Sequence, residues 1–387
     1  MVDLKTLDRT YVANTYARFP VEIVSGKGSI LVDSNGKEYI DMGSGIAVNS
    51  FGIGDEQWKN AIIEQLGKVH HTSNLYYTEP CAVLAKMLCE RTDMKKVFFS
   101  NSGAEANECG IKVARKYAAE KRGKDCYTIV TLNNSFHGRT LTTLAATGQE
   151  HYHELFQPLT PGFVHIEAET EALKKLNQPE KITAFMIECV QGEGGVIPLQ
   201  AEFVQALTAF AKQHDILLIV DEVQAGNGRT GKLYSYMHYG IQPDIVTTAK
   251  GLGGGLPLGA TLLNEKVECV LGHGDHGSTF GGNPVCCAGA VNILSRMDEK
   301  FLAEVQEKSN TIINSLSGAE GVEAISGLGL MLGIQTKKPA AEVIAYCREN
   351  GVLCLSAKDK VRLLPPLNIP MEILEKAITV IKDGCKV

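Results

Sequence analysis

The chain has 387 residues, 44% of them hydrophobic and 21% charged, with a net charge of −6. This is ordinary globular composition, with room for a large core and about two or three domains. The acidic balance argues against a nucleic-acid binder, which needs a concentrated basic surface. No apolar run approaches the roughly 18–20 residues that span a bilayer, so no membrane association is expected.

The first ten residues carry two acids, Asp3 and Asp8, and no apolar signal core, so neither a secretory signal nor a transit peptide is expected. Eleven cysteines, odd in number and unevenly spaced, argue for reduced thiols and a cytoplasmic protein rather than a disulfide framework. The absence of CxxC and HExxH spacings argues against a metal site. Neither a GxSxG elbow nor a GxxxxGK[ST] loop occurs.

In chain order, Ser29–Asp33 and Glu38–Asp41 flank Ser34-Asn35-Gly36, a hairpin signal. A helical stretch follows around Gln57–Leu66, and another over Ala82–Arg91. From about residue 80 strands and helices alternate. Short apolar strands are expected at Val97–Phe99, Thr128–Thr131, Ala184–Ile187, Ile216–Val220 and Ile245–Thr248, with helices over 103–120 and Glu202–Gln213 among them. This pattern predicts an α/β fold with a mostly parallel sheet covered on both faces, and ligands at the carboxyl ends of its strands. After about residue 290 the spacing predicts one long helix over Val291–Ser317, a helix at Ala340–Glu349 that stops at Asn350-Gly351, strands at Val352–Leu355 and Val361–Leu364, and a last helix from Met371. We expect three parts: an N-terminal segment over 1–50, a large domain over 51–285, and a small α+β domain over 286–387 that the N-terminal segment joins.

Five apolar residues, Ile216 to Val220, run straight into Asp221. A buried carboxylate is costly unless a cation or strong donor meets it. Gln224, three residues on, could reach the same ligand. A second apolar stretch, Ile245–Ala249, ends in Lys250 and a glycine run. Its small neighbours leave the amine accessible but poorly solvated, which lowers a lysine pKa and makes the amine nucleophilic. Ser102 and Glu105 form an S-x-x-E capping box after the Val97–Phe99 strand. The small residues Gly103 and Ala104 leave backbone amides uncovered at that helix start, where phosphate is favoured. Arg139 in Phe136-His137-Gly138-Arg139, and Arg362, each offer a planar fork for a carboxylate. Glu193, on the loop Gln191–Gly195, could pair with one of them. Taken singly, each feature is more often a plain cap, a solvated lysine or a structural ion pair. Together they fit one ligand, pyridoxal 5′-phosphate, which needs a phosphate site, an acid for its ring nitrogen and a lysine for its aldehyde.

These residues resemble the class III aminotransferases, a fold-type-I family that uses pyridoxal phosphate. The resemblance covers essentially the whole chain and rests on Ser100–Glu108, Phe136–Thr140, Gln191–Gly195, Val220–Gly231, Lys250–Gly259, Ser278–Pro284 and Arg362–Leu367. It implies a mostly parallel central sheet in a large domain, plus a smaller α+β domain. It further implies that Lys250 takes the cofactor's aldehyde, Asp221 its ring nitrogen and Gln224 its ring hydroxyl. Ser102, Gly103 and Ala104 would cradle the phosphate, with Thr279 reaching it from the other subunit of a homodimer. Phe136 would stack on the ring and Ser278 would touch the substrate. Arg139 would bind the substrate's distal carboxylate and Arg362 the α-carboxylate of glutamate, with Glu193 masking Arg362 in the other half-reaction. Within the family, His71–Tyr76, Phe136–Thr140 and Gly45, which stands where the free-ornithine branch has a tyrosine, are similar to the branch that takes N-acetylornithine as donor and 2-oxoglutarate as acceptor. Other ω-amino donors of the family are ornithine, succinylornithine, succinyldiaminopimelate and 4-aminobutyrate. Cys189 replaces the family's usual proline, and Ala225 and Asn227 replace commoner residues after Gln224.

Overall fold

Every residue of the strands Ile182–Ile187 and Leu217–Asp221 is buried. Successive side chains of a strand point to opposite faces, so both faces of this sheet must be covered. On one face Ala184, Met186, Leu217, Ile219 and Ile245 share a core with Ile111 and Val113 of the helix Gly103–Lys121. On the other, Phe185, Ile187, Leu218, Val220 and Val246 share a core with Phe203, Val204 and Leu207 of the helix Ala201–Gln213. Burial of each of these side chains larger than alanine contributes about 1.5–3 kcal/mol. Gly110 lets the first helix lie close on the sheet: a Cβ there would sit 3.3 Å from Thr247 Cγ2 and 3.4 Å from Ile245 Cγ2.

The computed structural model describes residues 3–386. Its central sheet has seven strands in the order Lys96–Ser100, Gly259–Leu263, Ile245–Thr248, Leu217–Asp221, Ile182–Ile187, Thr128–Leu132 and Phe163–Ile166. Gly259–Leu263 runs antiparallel to both of its neighbours, and the other pairings are parallel. The expected α/β architecture is therefore present. Two of its strands are absent from the sequence reading. Gly259–Leu263 follows a glycine run and looks like more of the same loop. Phe163–Ile166 is an edge strand that carries a histidine and leaves Val164 exposed, so its apolar pattern is weak.

The hairpin forms as expected, with Ile30–Asp33 and Glu38–Asp41 paired antiparallel. Gly36 supplies the left-handed turn at φ +81°, and the Asp33 carboxylate accepts from the backbone N–H of Asn35 and Lys37 at 2.8 and 2.9 Å. Val352–Leu353 adds to this sheet in parallel beside Glu38–Asp41. The expected Val352–Leu355 strand is thus two strands, because the chain changes sheets at Cys354. Leu355–Ala357 pairs instead with Lys360–Leu363, in a sheet with Val322–Leu328 and Met331–Thr336.

The single helix expected over Val291–Ser317 is also two, Pro284–Ser295 and Glu299–Leu316. Asp298 caps the second by accepting from Phe301 N at 2.7 Å, and Arg91 donates to the carbonyls of Leu294 and Met297 at the end of the first. Apolar spacing continues across the break, so only the cap marks it. Among the described residues no helix is long and apolar enough to cross a membrane.

Candidate active site

Asp221 ends its strand beside Thr247 of the parallel neighbour, and Lys250 follows three residues later. Both therefore lie at the carboxyl end of the sheet, where such folds bind ligands. They line one cavity of about 460 Å³ together with Ser102, Gly103, Ala104, Phe136, Arg139 and Gln224. Eight of the sequence-derived site residues thus meet in one space.

Two donors from different elements hold the Asp221 carboxylate. His137 Nδ1 lies 2.7 Å and Asn107 Nδ2 2.8 Å from the same oxygen, Oδ2. The other oxygen accepts from Val223 N at 3.0 Å. Asn107 is itself fixed, donating to His137 O at 2.8 Å and accepting from Thr247 Oγ1 at 2.5 Å. Burial disfavours a charged imidazole, but the Asp221 carboxylate outweighs it and holds His137 above its ordinary value. Sequence reasoning left both partners without a role. The available signal was an asparagine on a buried helix face among Ala106, Cys109 and Gly110, and a histidine inside the Phe136–Arg139 run. Glu188, also unpredicted, lines the cavity and accepts from Phe136 N at 2.9 Å. Burial, aided by the nearby Asp221, pushes its carboxyl up to about 7.

Lys250 has φ +45°, a left-handed value that costs a side-chain-bearing residue about 1–3 kcal/mol. Asn227 braces the preceding turn, donating to Thr248 Oγ1 at 2.9 Å and Ala249 O at 3.0 Å. This residue, unusual for the family resemblance, is therefore part of the support for Lys250. Desolvation lowers the amine's pKa, and Arg362 adds to the shift while Glu193, Asp221 and Glu188 oppose it.

At the helix start, Ser102 Oγ accepts from Glu105 N at 3.2 Å, as a cap should. The return half of the expected capping box is displaced: Glu105 accepts from Asn101 N at 2.6 Å rather than from Ser102 N. Ser102, Gly103 and Ala104 still face the cavity.

Arg362 is only 4% exposed and donates to Glu193 Oε1 at 2.6 Å and Gln224 Oε1 at 3.1 Å. Gln224 Nε2 donates to the same Glu193 oxygen at 3.3 Å. Burial would raise the Glu193 carboxyl, but Arg362 holds it below its ordinary value. Gln224 is thus tied to the ion pair, although it also lines the cavity. Arg139, in contrast, is exposed and lies over aromatic rings.

Ser278 and Thr279 do not line this cavity. Ser278 Oγ accepts from Asn101 Nδ2 at 3.1 Å and Gly281 N at 2.9 Å. Thr279 is exposed, in a separate shallow depression with His71–Asn74.

The sequence pattern described as aminotransferase class-III matches residues 11–384. The chain belongs to the class III aminotransferases. This aminotransferase is 50% identical over 381 residues to the acetylornithine aminotransferase of Haemophilus ducreyi, covering 98% of this chain and 97% of that one. It is 42% identical to the acetylornithine aminotransferase of Aquifex aeolicus, covering 97% and 99%. Among solved structures it is similar to the ornithine aminotransferase of Toxoplasma gondii, with a TM-score of 0.94, 32% identity and coverage of 98% and 94%. It is likewise similar to N-acetylornithine aminotransferase from Stenotrophomonas maltophilia, with a TM-score of 0.85, 33% identity and 98% of each chain covered.

The family's enzymes depend on pyridoxal 5′-phosphate, and the donor set here fits that group. A helix start opens on the cavity at one side, for an anion. A carboxylate fixed by two buried donors and an amine whose pKa burial lowers line the same space.

Proposed function

We propose that this aminotransferase moves the terminal amino group of N2-acetyl-L-ornithine to 2-oxoglutarate, giving N-acetyl-L-glutamate 5-semialdehyde and L-glutamate. We place it in the cytoplasm as a homodimer, in which Thr279 of one subunit would serve the other's phosphate site and Ser278 its substrate. The observation that carries the reading is the contrast between the two arginines: Arg362 is masked by Glu193, whereas Arg139 is open. One site must serve a long acylated amine and a five-carbon diacid in turn. An open fork serves the carboxylate common to both substrates. A masked fork becomes available only to the diacid.

When bound, pyridoxal phosphate supplies an aldehyde that captures the donor's amine and a ring that accepts the electron pair of the broken C–H bond. Lys250 Nζ would hold the aldehyde until the donor's amine displaces it and, as the freed amine, would then take the proton from the amine-bearing carbon and later return it, as base and acid. A lowered pKa suits it to that exchange. The Asp221 carboxylate would hold the protonated ring nitrogen, and His137 and Asn107 fix its orientation. Ser102, Gly103 and Ala104 would hold the phosphate through the helix start. Phe136 and Val223 would enclose the ring, and Gln224 would reach the ring hydroxyl. Arg139 would take the distal carboxylate and Arg362 the α-carboxylate of glutamate.

Free ornithine as donor is the second reading, favoured by the likeness to solved ornithine aminotransferases. Gly45 speaks against it. It stands where the resemblance puts the ornithine branch's tyrosine, and a glycine offers no hydroxyl to hold a free α-amine. Side-by-side transamination of acetylornithine and ornithine with 2-oxoglutarate tests the choice. We expect acetylornithine to have the higher kcat/KM by at least about tenfold, or ~1.4 kcal/mol. Equal or reversed values would overturn the donor assignment. Lys250→Ala should abolish turnover, and substantial residual transamination would refute the role of Lys250.

A further inference from the structure

Arg139 lines the cavity yet is exposed, and it differs from three arginines that are more buried. Arg362 is neutralised by Glu193, Arg229 donates to Leu330 O and Pro365 O, and Arg296 grips both oxygens of Asp55. Among the described residues Arg139 has no carboxylate within ion-pair distance and no hydrogen-bond acceptor. What it has is aromatic faces. Its guanidinium carbon lies 4.6 Å from the centroid of the Tyr152 ring and 5.7 Å from that of Phe136.

The two rings are braced against each other, edge to face, with centroids 5.7 Å apart at 67°. The centroid of the neighbouring His151 ring lies 3.9 Å from that of Tyr152. The short turn Glu150–Tyr152 is tied down through Gln149, which is buried and donates to Ser135 O at 3.0 Å. Tyr152 therefore has a fixed place. It also lines a second cavity of about 590 Å³ that Glu193 shares, while Arg139 and Phe136, which it packs against, line the first. The Tyr152 hydroxyl makes no hydrogen bond to another described residue.

An arginine can be aimed in two ways. A carboxylate partner would hold it but cancel its charge and occupy its N–H donors. An aromatic face attracts the cation through the ring quadrupole and leaves every N–H free. We propose that Tyr152 is a positioning residue for substrate: its ring face holds the Arg139 guanidinium open toward the cavity without neutralising it. This rests on the reading of Arg139 as the fork for the substrate's distal carboxylate. Tyr152 thereby sets affinity for both substrates through their shared carboxylate and contributes little to the proton transfer at Lys250.

The test uses the cofactor-loaded enzyme and glutarate, a dicarboxylate with no reacting group, measured by calorimetry beside steady-state kinetics. Tyr152→Phe should keep the glutarate Kd within about twofold. Tyr152→Leu should raise that Kd, and KM for acetylornithine and 2-oxoglutarate, by about four- to fivefold, the upper size of a solvent-exposed cation–π contact. kcat should stay within about twofold. Because leucine could disturb folding, a second series places phenylalanine with one, two and three ring fluorines at position 152. Fluorine drains the ring face with little change of shape, so the glutarate Kd should rise stepwise. A flat fluorine series overturns the proposal, as does a loss in kcat with unchanged Kd. Arg139→Ala separates the two failures. If it leaves the glutarate Kd unchanged, the role given to Arg139 is wrong. If it weakens binding while the fluorine series stays flat, only the role of Tyr152 is wrong.

Discussion

Glu193 and Arg362 form an ion pair with one partner buried at 4% exposure and the other on a loop. Such a pair is strong enough to hold and can still open, because Gln224 contacts both partners and can stay with Arg362. Glu193→Ala removes the mask. Productive binding of glutamate should then improve relative to acetylornithine, by about tenfold in the ratio of half-reaction rates. An unchanged ratio would sink the switch. The same change leaves Arg362 buried with Gln224 alone, so the melting temperature should fall as well. At this scale the sequence was legible where a charged residue ends an apolar run, as at Asp221 and Lys250. It was not legible for His137, Asn107, Glu188 and Tyr152. The first three meet their partners only when segments distant in sequence lie side by side, His137 and Asp221 being 84 positions apart and Asn107 and Asp221 114 apart, whereas Tyr152 meets nearby Arg139 only through the turn that Gln149 ties down.

At the scale of elements, caps and turns decided what periodicity could not. Asp298 splits a helix, and Cys354 marks a change of sheet. Glu222 is a further case. Directly after Asp221, its buried carboxylate caps the short helix Ser235–His238, accepting from Ser235 N at 2.9 Å, Ser235 Oγ at 2.7 Å and Tyr236 N at 2.8 Å. Burial nevertheless dominates and pushes its carboxyl up from 4.5 to about 7. The folded protein therefore binds a proton between pH 4.5 and about 7 that the unfolded chain has released. Stability is fully present below that window and is lost as pH rises through it. Glu188 and His137, also held high, act in the same direction. Denaturant midpoints should fall from pH 5 to 8, with Glu222 contributing at most on the order of 3 kcal/mol. Glu222→Gln, neutral throughout, should flatten that fall; an undiminished slope would show that Glu222 does not carry it.

For the whole molecule, the question is how Arg362, from the C-terminal part of the chain, comes to face Lys250. The segment after Arg362 is pinned at several points. Leu364 N donates to Met42 O at 2.7 Å and Leu367 N to Ser50 O at 2.8 Å, while Ser50 Oγ donates to Gly251 O at 3.1 Å, next to Lys250. Arg229 closes the frame. It is 2% exposed, outside the cavity, and donates to Pro365 O at 2.5 Å and Leu330 O at 3.1 Å. The alternation of strands and helices made the central sheet legible, but nothing in the sequence foretold this frame, because its acceptors are backbone carbonyls that any residue could supply. Arg229→Met keeps much of the volume and leaves both carbonyls without their donor. The loss should be about 3 kcal/mol, or a fall of about 4 °C in melting temperature for a chain of this size. The segment bearing Arg362 should loosen with it, so KM for 2-oxoglutarate should rise more than KM for acetylornithine. Absorbance of the bound cofactor should not change, since Asp221, Lys250 and the helix start are held by other contacts. Equal effects on both KM values would mean that Arg229 supports the fold in general and not the placement of Arg362.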